Sequence, residues 1–352
     1  MNILKKIAKK IFQYEARLVL KKYNPKIIAI TGSVGKTLTR EALYTVLTKK
    51  FFVRKSEKSF TTELGVPLAI IGCQYGTGTP IDWMKNILFG WKLLVGKKIY
   101  PEYLILEIDG DKPGDLKGIS SWLHPDILVM TAIGEVPSHI ETFTSLNALL
   151  SEKKDLLESV KAGGTIIYNA DDAITSGLME GVSSKKVSCG VRMDSDIKGT
   201  EAVILYSNSK TSSIPTGMSF NILQGEKNHT INIFDTIGIQ NEYACLLAFA
   251  VSIDLGIASE LAINSLNKYS KVSGRMSIIT GVNGSMIIDD SYNSSPLSAE
   301  ESISTFSAIK SNGKKIAIMG DMLELGRYTH LEHMKIAFQL KDIADLVYCV
   351  GI

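Results

Sequence analysis

The alternation of apolar and polar positions from Lys26 onward predicts strands and helices in turn. The strand candidates are short apolar runs, at residues 26–31, 51–55, 103–108, 126–131 and 165–169. Helical spacing of apolar residues recurs between them, at about 36–49, 82–98 and 145–161. Strands that alternate with helices are typical of a mainly parallel sheet covered by helices. The first half of the chain is therefore predicted to form an α/β domain.

The second half changes character twice. Residues 199–236 are rich in Thr and Ser with alternating apolar positions, which predicts a small antiparallel patch in or beside the first domain, and helices resume near Asn241. Asn283-Gly284 then predicts a two-residue hairpin turn. The tail alternates helix, strand, helix and strand, at about 296–310, 314–320, 329–342 and 346–351. We expect a central domain over 25–272 and a second, Rossmann-like α/β domain over 273–352.

The two ends of the chain carry separate predictions. Residues 1–24 predict an amphipathic basic helix, with apolar residues at helical spacing and lysines between them: Ile3, Leu4, Ile7, Ile11 and Phe12. They lack the apolar core and cleavage site of an export signal. We expect the helix to dock on the protein body, with contact to a membrane surface as the alternative. The last strand has no covering helix, so either another chain covers it or, as we favour, the sequence is a fragment.

Composition adds little to this pattern. The chain has 352 residues, 45% of them apolar and 21% charged, with a net charge of +3, as in ordinary globular proteins. This weak positive charge gives no indication of a nucleic-acid partner. Separately, we expect the protein to be a monomer. The four cysteines, at 73, 189, 245 and 349, are too scattered for a metal or redox pair, which favours the reducing cytoplasm.

The strongest chemical signal is TGSVGKT, which begins at Thr31 between a predicted buried strand and a helix. The loop would consist of Gly32, Ser33, Val34, Gly35, Lys36 and Thr37. Its N–H groups and the helix dipole can hold phosphate oxygens, while the lysine reaches terminal phosphates and the threonine binds Mg²⁺. Position 30 is Ile, so the full G-x-x-x-x-G-K-[ST] spacing is not met. A plain structural glycine turn is the alternative.

Two further candidates follow predicted strands. Glu107 ends the run YLILE and His139 follows DILVMT, so both fall near the carboxyl edge of the sheet, where nucleotides bind. A carboxylate there can hold Mg²⁺. Taken alone, Glu107 is as readily a surface or capping acid, and a lone loop histidine such as His139 is more often structural than a ligand. The HLEH segment at 330–333 is more typical of a solvated helix face than of a metal site.

Several sequence segments, taken in their order along the chain, favour a functional role for these residues over a structural one. They are TGSVGKT, ELGVPLAIIG at 63–72, LEIDGDKPGDL at 106–116, the IG…HIETF…SL…EK run at 133–153, GR at 274–275, IIDDSYNSSP at 287–296 and IAIMGDMLELG at 316–326. Together they resemble the Mur ligase family over roughly residues 25 to 352. The resemblance implies a P-loop ATPase domain with a mainly parallel sheet, followed by a Rossmann-like C-terminal domain that is incomplete here.

The resemblance also implies roles for individual residues. Catalytic roles fall on Lys36, Lys153, His139 and Arg275. The implied magnesium site comprises Thr37, Glu107, His139 and Lys153, the last as a carbamylated lysine. The nucleotide would contact the phosphate loop together with Asn241, Arg275, Asp290 and Asn293. The family's H-N-x-x-N motif is only partly kept in GIQNEYA at 238–244, where Gln240 and Ala244 replace the histidine and the second asparagine.

The reaction so implied uses ATP and Mg²⁺ to activate a carboxylate as an acyl phosphate, which an amine then attacks. The resemblance favours members that add D-alanyl-D-alanine to a UDP-muramoyl-tripeptide in peptidoglycan synthesis. Those members carry an N-terminal domain for the UDP end, whereas here a basic helix precedes the phosphate loop. Two alternatives stay open. One is a ligase for another pair, such as a poly-amino acid, a folate tail or an archaeal cell-wall peptide; the other is a non-catalytic nucleotide-binding relative.

Overall fold

A nine-stranded sheet forms the centre of the molecule. The computed structural model describes residues 3–57, 60–73, 79–208 and 213–351, without the side chains of 3–6, 208 and 213. The strands are β1 (Lys26–Thr31), β2 (Val53–Lys55), β3 (Tyr103–Glu107), β4 (Ile127–Met130), β5 (Thr165–Asn169), β6 (Lys185–Gly190), β7 (Ile197–Asn208), β8 (Ser213–Gln224) and β9 (Lys227–Phe234). Their spatial order is β2-β3-β1-β4-β5-β6-β7-β8-β9. Pairing is parallel from β2 to β7 and antiparallel from β7 to β9, which confirms the predicted mainly parallel α/β sheet.

Helices cover both faces of this sheet. They are α1 (Ile3–Tyr23), α2 (Lys36–Leu47), α3 (Gly65–Ile71), α4 (Pro80–Val95), α5 (Asp115–Ser120), α6 (Leu146–Glu158), α7 (Ala173–Leu178), α8 (Ile239–Asp254) and α9 (Ser259–Leu266). The buried strand β1 shows why the sequence demands this. Ile28 and Ile30 pack with the buried residues of α2 and α8, while Ile27 and Ala29 pack with those of α1 and α3. A strand apolar on both faces needs cover on both faces.

The N-terminal helix α1 docks on the protein body, against α3 and α4. Its buried face is formed by Ala8, Phe12, Ala16 and Val19, together with a buried carboxyl, Glu15. The predicted apolar face is therefore only partly right, since Ile7 is 51% exposed. The side chains of Ile3 and Leu4 lie outside the described residues. No helix in the described ranges is long and apolar enough to cross a bilayer.

The last eighty or so residues form a smaller α/β unit. It contains a hairpin of β10 (Ser277–Thr280) and β11 (Met286–Asp289), then α10 (Pro296–Ala308), β12 (Ile316–Gly320), α11 (Thr329–Leu340) and β13 (Leu346–Val350). The hairpin turn is longer than predicted. Thr280 pairs with Met286, so residues 281–285 form the loop, although Asn283 and Gly284 do adopt the positive φ expected of them.

The parallel pair β12–β13 has an exposed side, as the bare face predicted for this sheet requires. All five residues of β13 are exposed, and Ile318 on β12 is 71% exposed. What covers this face stays open, as does the predicted domain boundary near residue 273.

Candidate functional site

A glycine loop links β1 to α2 at the centre of the parallel sheet. Ser33 and Val34 donate backbone hydrogen bonds to the carbonyl of Ala132, at 2.7 and 3.0 Å, which fixes the loop beside the end of β4. A Cβ at Gly32 would overlap the Thr131 hydroxyl, and Gly35 has a φ of 92°. Both positions therefore require glycine. The loop leaves the first N–H groups of α2 free for an anion.

Lys36 is held in place by a carboxylate that the sequence interpretation missed. Its Nζ lies 2.7 Å from Oδ2 of Asp109 and donates to the carbonyl of Gly32 at 2.9 Å. Burial acts to raise the pKa of Asp109, but the charges of Lys36, Lys153 and His139 outweigh it and lower that pKa. Asp109 follows β3 by two residues, so its place at the sheet edge was the available signal.

Thr37 and Glu107 come together as predicted for two metal ligands. The Thr37 hydroxyl donates to Oε1 of Glu107 at 3.0 Å. Oε2 of Glu107 accepts a hydrogen bond from Nη1 of Arg40 at 3.0 Å. Both side chains of this ion pair are buried. The parallel pairing of β1 with β3, which sets Ile30 opposite Glu107, brings the carboxylate to the loop. Arg40 was not singled out, because nothing in its local sequence distinguishes it from a surface arginine.

His139 and Lys153 both lie close enough to Asp109 to lower its pKa. His139 has a φ of 65° and pairs with Glu324 through Nδ1, while its Nε2 lies 3.8 Å from Oδ1 of Asp111. Lys153, on α6, is only 3% exposed, and burial lowers its pKa to about 8. Asp109 is therefore the common neighbour of the predicted phosphate-binding and metal-site residues, and it limits the repulsion between their positive charges.

The smaller α/β unit also contributes side chains to this site. A cavity open to solvent, with about 310 Å³ of empty space when that solvent is included, is lined by Val34, Gly35, Thr37, Leu38, Gln240, Arg275, Met276, Asp290 and Ser298. The guanidinium carbon of Arg275 lies 4.3 Å from the ring centre of Tyr292. Burial lowers the pKa of Arg275. Asp290 accepts hydrogen bonds from the Met276 N–H at 3.2 Å and the Ser302 hydroxyl at 2.5 Å. Asn293 is exposed and lies outside this lining.

A second cavity open to solvent, with about 260 Å³ of empty space when that solvent is included, adjoins the same loop. It is lined by Val34, Gly35, Thr39, Thr131, Ala132, Asn169, Gln240, Tyr243, Ala244, Leu247 and Glu301. Both amide atoms of Gln240 and Oε2 of Glu301 are buried without a hydrogen-bond partner among the described residues. Burial raises the pKa of Glu301 to about 8, so this carboxyl is mostly neutral at pH 7. Unpaired buried polar groups are costly and imply a missing ligand or water.

Asn241, the one matching position of the partly kept motif, does not face this cavity lining. Its Nδ2 donates to Thr236 Oγ1 at 3.0 Å and to the Ile237 carbonyl at 2.8 Å, and Oδ1 accepts from the Tyr269 hydroxyl at 3.2 Å. Its hydrogen-bonding groups are thus used to anchor the start of α8. Gln240, one residue earlier, lines the cavity instead.

The residues present fit a nucleoside triphosphate with magnesium. The loop offers N–H groups and Lys36 to phosphates, Thr37 and Glu107 are oxygen donors of the kind Mg²⁺ prefers, and Gln240 needs polar partners.

The HLEH segment at 330–333 uses one of its histidines in structural hydrogen bonds. The His333 ring accepts a hydrogen bond from the Met322 N–H and pairs with the Thr329 carbonyl. Across the described ranges, no cluster of three or more His, Cys, Asp and Glu side chains is placed to hold a metal.

Comparison with known proteins identifies the family. The Mur ligase middle domain matches residues 30–252, and the glutamate ligase domain of Mur ligases matches residues 274–352. The chain belongs to the Mur ligase family. The resemblance that the ordered motifs predicted is therefore confirmed.

Individual Mur ligases are similar to almost the whole chain. The UDP-N-acetylmuramoyl-tripeptide–D-alanyl-D-alanine ligase of Bacillus subtilis strain 168 is 26% identical over 340 residues, which cover 96% of this chain and 65% of the relative. The chain thus spans about two thirds of that relative's length. Among solved structures, MurF from Acinetobacter baumannii superposes with a TM-score of 0.79 at 23% identity, covering 97% of this chain and 67% of that one. MurF from Thermotoga maritima in complex with ADP gives 0.78 at 23% identity, covering 97% and 70%. These likenesses establish the Mur ligase fold.

Proposed function

We propose that this Mur ligase family member is an ATP-dependent amide ligase that forms ADP and phosphate through an acyl-phosphate intermediate. The observation that carries the proposal is the cavity in which the phosphate loop, with Thr37, meets Arg275 and Asp290 of the smaller unit. A protein that only binds nucleotide has no need of a half-buried arginine from a second unit. A ligase needs it, because charge develops on the transferred phosphoryl group.

Each residue has a distinct task in this mechanism. The loop N–H groups and Lys36 hold the β- and γ-phosphates in line with the acceptor. Thr37 and Glu107 would hold Mg²⁺, with His139 and a carbamylated Lys153 completing the metal site. Bound there, the metal ion would neutralise phosphate charge.

The bond changes follow from this arrangement. An oxygen of the substrate carboxylate attacks the γ-phosphorus, and the bond from that phosphorus to the β–γ bridging oxygen breaks to release ADP. The amine nitrogen of the second substrate then attacks the acyl carbon, loses a proton and displaces phosphate. Arg275 is placed to stabilise the transferred group, and Asp290 to hold the ribose or adenine side of the nucleotide, with Asn293 nearby.

We further propose that the substrates are a UDP-muramoyl-tripeptide and D-alanyl-D-alanine, as the names of the curated relatives state for those proteins. The protein would act in the cytoplasm as a monomer, in peptidoglycan precursor synthesis. A different carboxylate and amine are the second candidate, because the UDP end of the substrate has no assigned site in the described residues.

The decisive experiment is ADP release by the purified chain with ATP and Mg²⁺, with each substrate alone and with both. Lys36→Ala removes the phosphate-binding cation, and Lys227→Ala, an exposed lysine at the start of β9, is the matched control. Release that needs both substrates, yields the amide and disappears only in Lys36→Ala supports the proposal. ATP binding without release under any substrate pair would refute ligase activity, and release with another pair would refute only the named substrates.

A further inference from the structure

Helix α4 presents an apolar stripe to solvent. Its outward residues are spaced three and four apart, as on one face of a helix: Ile81 at 67% exposure, Met84 at 59%, Leu88 at 55%, Trp91 at 47% and Val95 at 84%. Ile99, just beyond the helix, is 90% exposed. Single exposed apolar residues are ordinary, but a contiguous row with a tryptophan marks an interaction surface. We call these residues the α4 stripe.

The stripe is a built feature of a well-anchored helix. The opposite face of α4 buries Asn86, Gly90 and Leu93. At its first turn the Thr79 hydroxyl accepts a hydrogen bond from the Asp82 N–H at 3.1 Å. Near its last turn Lys22 of α1 donates to the carbonyls of Leu93, Leu94 and Gly96, at 2.9, 2.8 and 2.6 Å. The orientation of the stripe is therefore fixed by packing on its other side.

Positive charge accompanies the stripe. Lys85 and Lys92 are exposed beside it on α4, and Lys97 and Lys98 follow the helix, against a single acid, Asp82. The neighbouring helix α1, which packs along α4, exposes further basic residues: Lys10, Arg17, Lys21 and Lys22. Along residues 80–99, the exposed basic side chains therefore outnumber the single acid by four to one.

An apolar row flanked by lysines is the chemistry of an interfacial helix on anionic lipid. A second copy of the chain is a poorer occupant, because pairing two α4 stripes would bring two sets of lysines together with only Asp82 of each helix to oppose them. The 16-residue helix is too short to span a bilayer but can lie in its surface.

We propose that the α4 stripe and the basic residues around it dock this protein on an anionic membrane surface. The contact leaves the nucleotide cavity unaltered, because α4 contributes no residue to the lining of either cavity. It would hold the enzyme at the membrane while its chemistry proceeds in water. This inference stands apart from the proposed ligase reaction and can be tested without substrate.

The test is sedimentation of the purified chain with vesicles of phosphatidylcholine alone or with one third phosphatidylglycerol. We expect binding to the anionic vesicles only, weakened by salt, with a blue shift of tryptophan fluorescence as Trp91 enters the interface. Lys85→Gln/Lys92→Gln should weaken binding about 30-fold, since each lysine near an anionic surface is worth roughly a factor of five. Leu88→Gln/Trp91→Gln should abolish it.

Matched controls separate docking from general stickiness. Lys227→Gln/Lys310→Gln removes two exposed lysines elsewhere, and Phe338→Gln removes an exposed apolar side chain of α11. Both should bind vesicles like the parent. Equal loss in control and test variants, or no binding to anionic vesicles, would overturn the proposal. So would concentration-dependent dimerisation without lipid that the Leu88→Gln/Trp91→Gln change abolishes, because the stripe would then be a self-association surface.

Discussion

Lys36 and Asp109 form an ion pair of 2.7 Å at the phosphate loop, and their partnership organises the charges of the site. The ammonium group of Lys36 also donates a hydrogen bond to the Gly32 carbonyl at 2.9 Å, so the carboxylate and the loop hold it together. Asp109 also lies within the electrostatic reach of Lys153 and His139. One half-buried carboxylate thus links the phosphate-binding lysine to the residues proposed to hold magnesium.

Asp109→Asn should reduce kcat/KM for ATP about 10- to 100-fold, because a hydrogen bond to a charged group is worth roughly 1.5–3 kcal/mol. The measurement is steady-state ADP release with both substrates present. Asp111→Asn is the matched control, since Asp111 is exposed and lies 3.8 Å from His139 rather than beside Lys36. Equal effects of the two changes would show that the Lys36 contact has no special role.

Gln240 and Glu301 should contribute to nucleotide affinity as neutral hydrogen-bonding groups. Glu301→Leu is expected to weaken ADP binding about tenfold, whereas Glu301→Gln, which keeps a donor, should stay within about threefold. Because burial raises the pKa of Glu301 to about 8, affinity of the parent should fall above pH 8 as that proton is lost. Titration calorimetry from pH 6.5 to 9 measures both effects.

The charged neighbours of Glu301 are Arg192, Asp290, Asp172 and Glu300, so the pH profile needs a variant in which Glu301 cannot titrate. Glu301→Gln supplies it. If the fall in affinity above pH 8 persists unchanged in that variant, another group is responsible and the assignment to Glu301 is wrong.

The sequence predicts the scaffold of this site better than its contacts. The strand KIIAIT could be predicted from its run of apolar residues. In the structure, five consecutive positions of this strand are buried. The meeting of Thr37 with Glu107 was expected from the family resemblance and from the place of Glu107 at the carboxyl edge of the sheet. Asp109 could not be paired with Lys36 in advance, because a two-residue offset beyond a strand does not say where a side chain turns.

Asn241 illustrates a different limit. A motif match gives the residue type but not the direction of the side chain, and here Thr236, Ile237 and Tyr269 use its amide. The neighbouring Gln240 faces the cavity instead. For α1 the apolar spacing predicted the helix, but its buried face includes alanines and Glu15, which hydrophobicity alone does not select. The roles of Asn241, Asn293 and the other site residues stay predictions.

Glu15 should make α1 less stable as the pH rises. Its carboxyl is fully buried, both oxygens have no partner among the described residues, and burial raises its pKa to about 7. Between its unfolded pKa near 4.5 and about 7, the folded state binds more protons than the unfolded state, so stability falls as pH rises through this window. The full loss, reached above pH 7, is roughly 3 kcal/mol.

Glu15→Gln removes this titration, so its stability relative to the parent should rise between pH 5 and pH 8. Hydrogen exchange of α1 amides, compared between parent and variant at each pH, reports the local opening free energy without assuming two-state unfolding of the whole chain. Glu226→Gln, an exposed change in the β8–β9 turn, is the control. A parent–variant difference that is the same at both pH values would contradict the prediction.

Lys153 should carry carbon dioxide as a carbamate. Burial lowers its pKa to about 8, which increases the neutral amine that reacts with CO₂. Incubation with ¹³C-bicarbonate should give a carbamate carbon signal by NMR that is absent in Lys153→Gln and kept in Lys154→Gln, whose side chain is exposed. The same signal in both variants would assign the modification to another lysine.

Arg275→Gln should separate nucleotide binding from turnover. The phosphate loop and Gln240 belong to the large sheet unit, so ADP affinity should change less than about threefold, while kcat falls about 100- to 1,000-fold with loss of charge stabilisation in the transition state. Arg327→Gln is the matched control, because Arg327 also stacks on a tyrosine, at 4.9 Å from the Tyr328 ring, but lies outside both cavity linings. If Arg275→Gln weakened ADP binding as much as it slowed turnover, Arg275 would be a ground-state nucleotide ligand. A selective loss of kcat would instead require that the smaller unit acts on the phosphoryl group only as it is transferred.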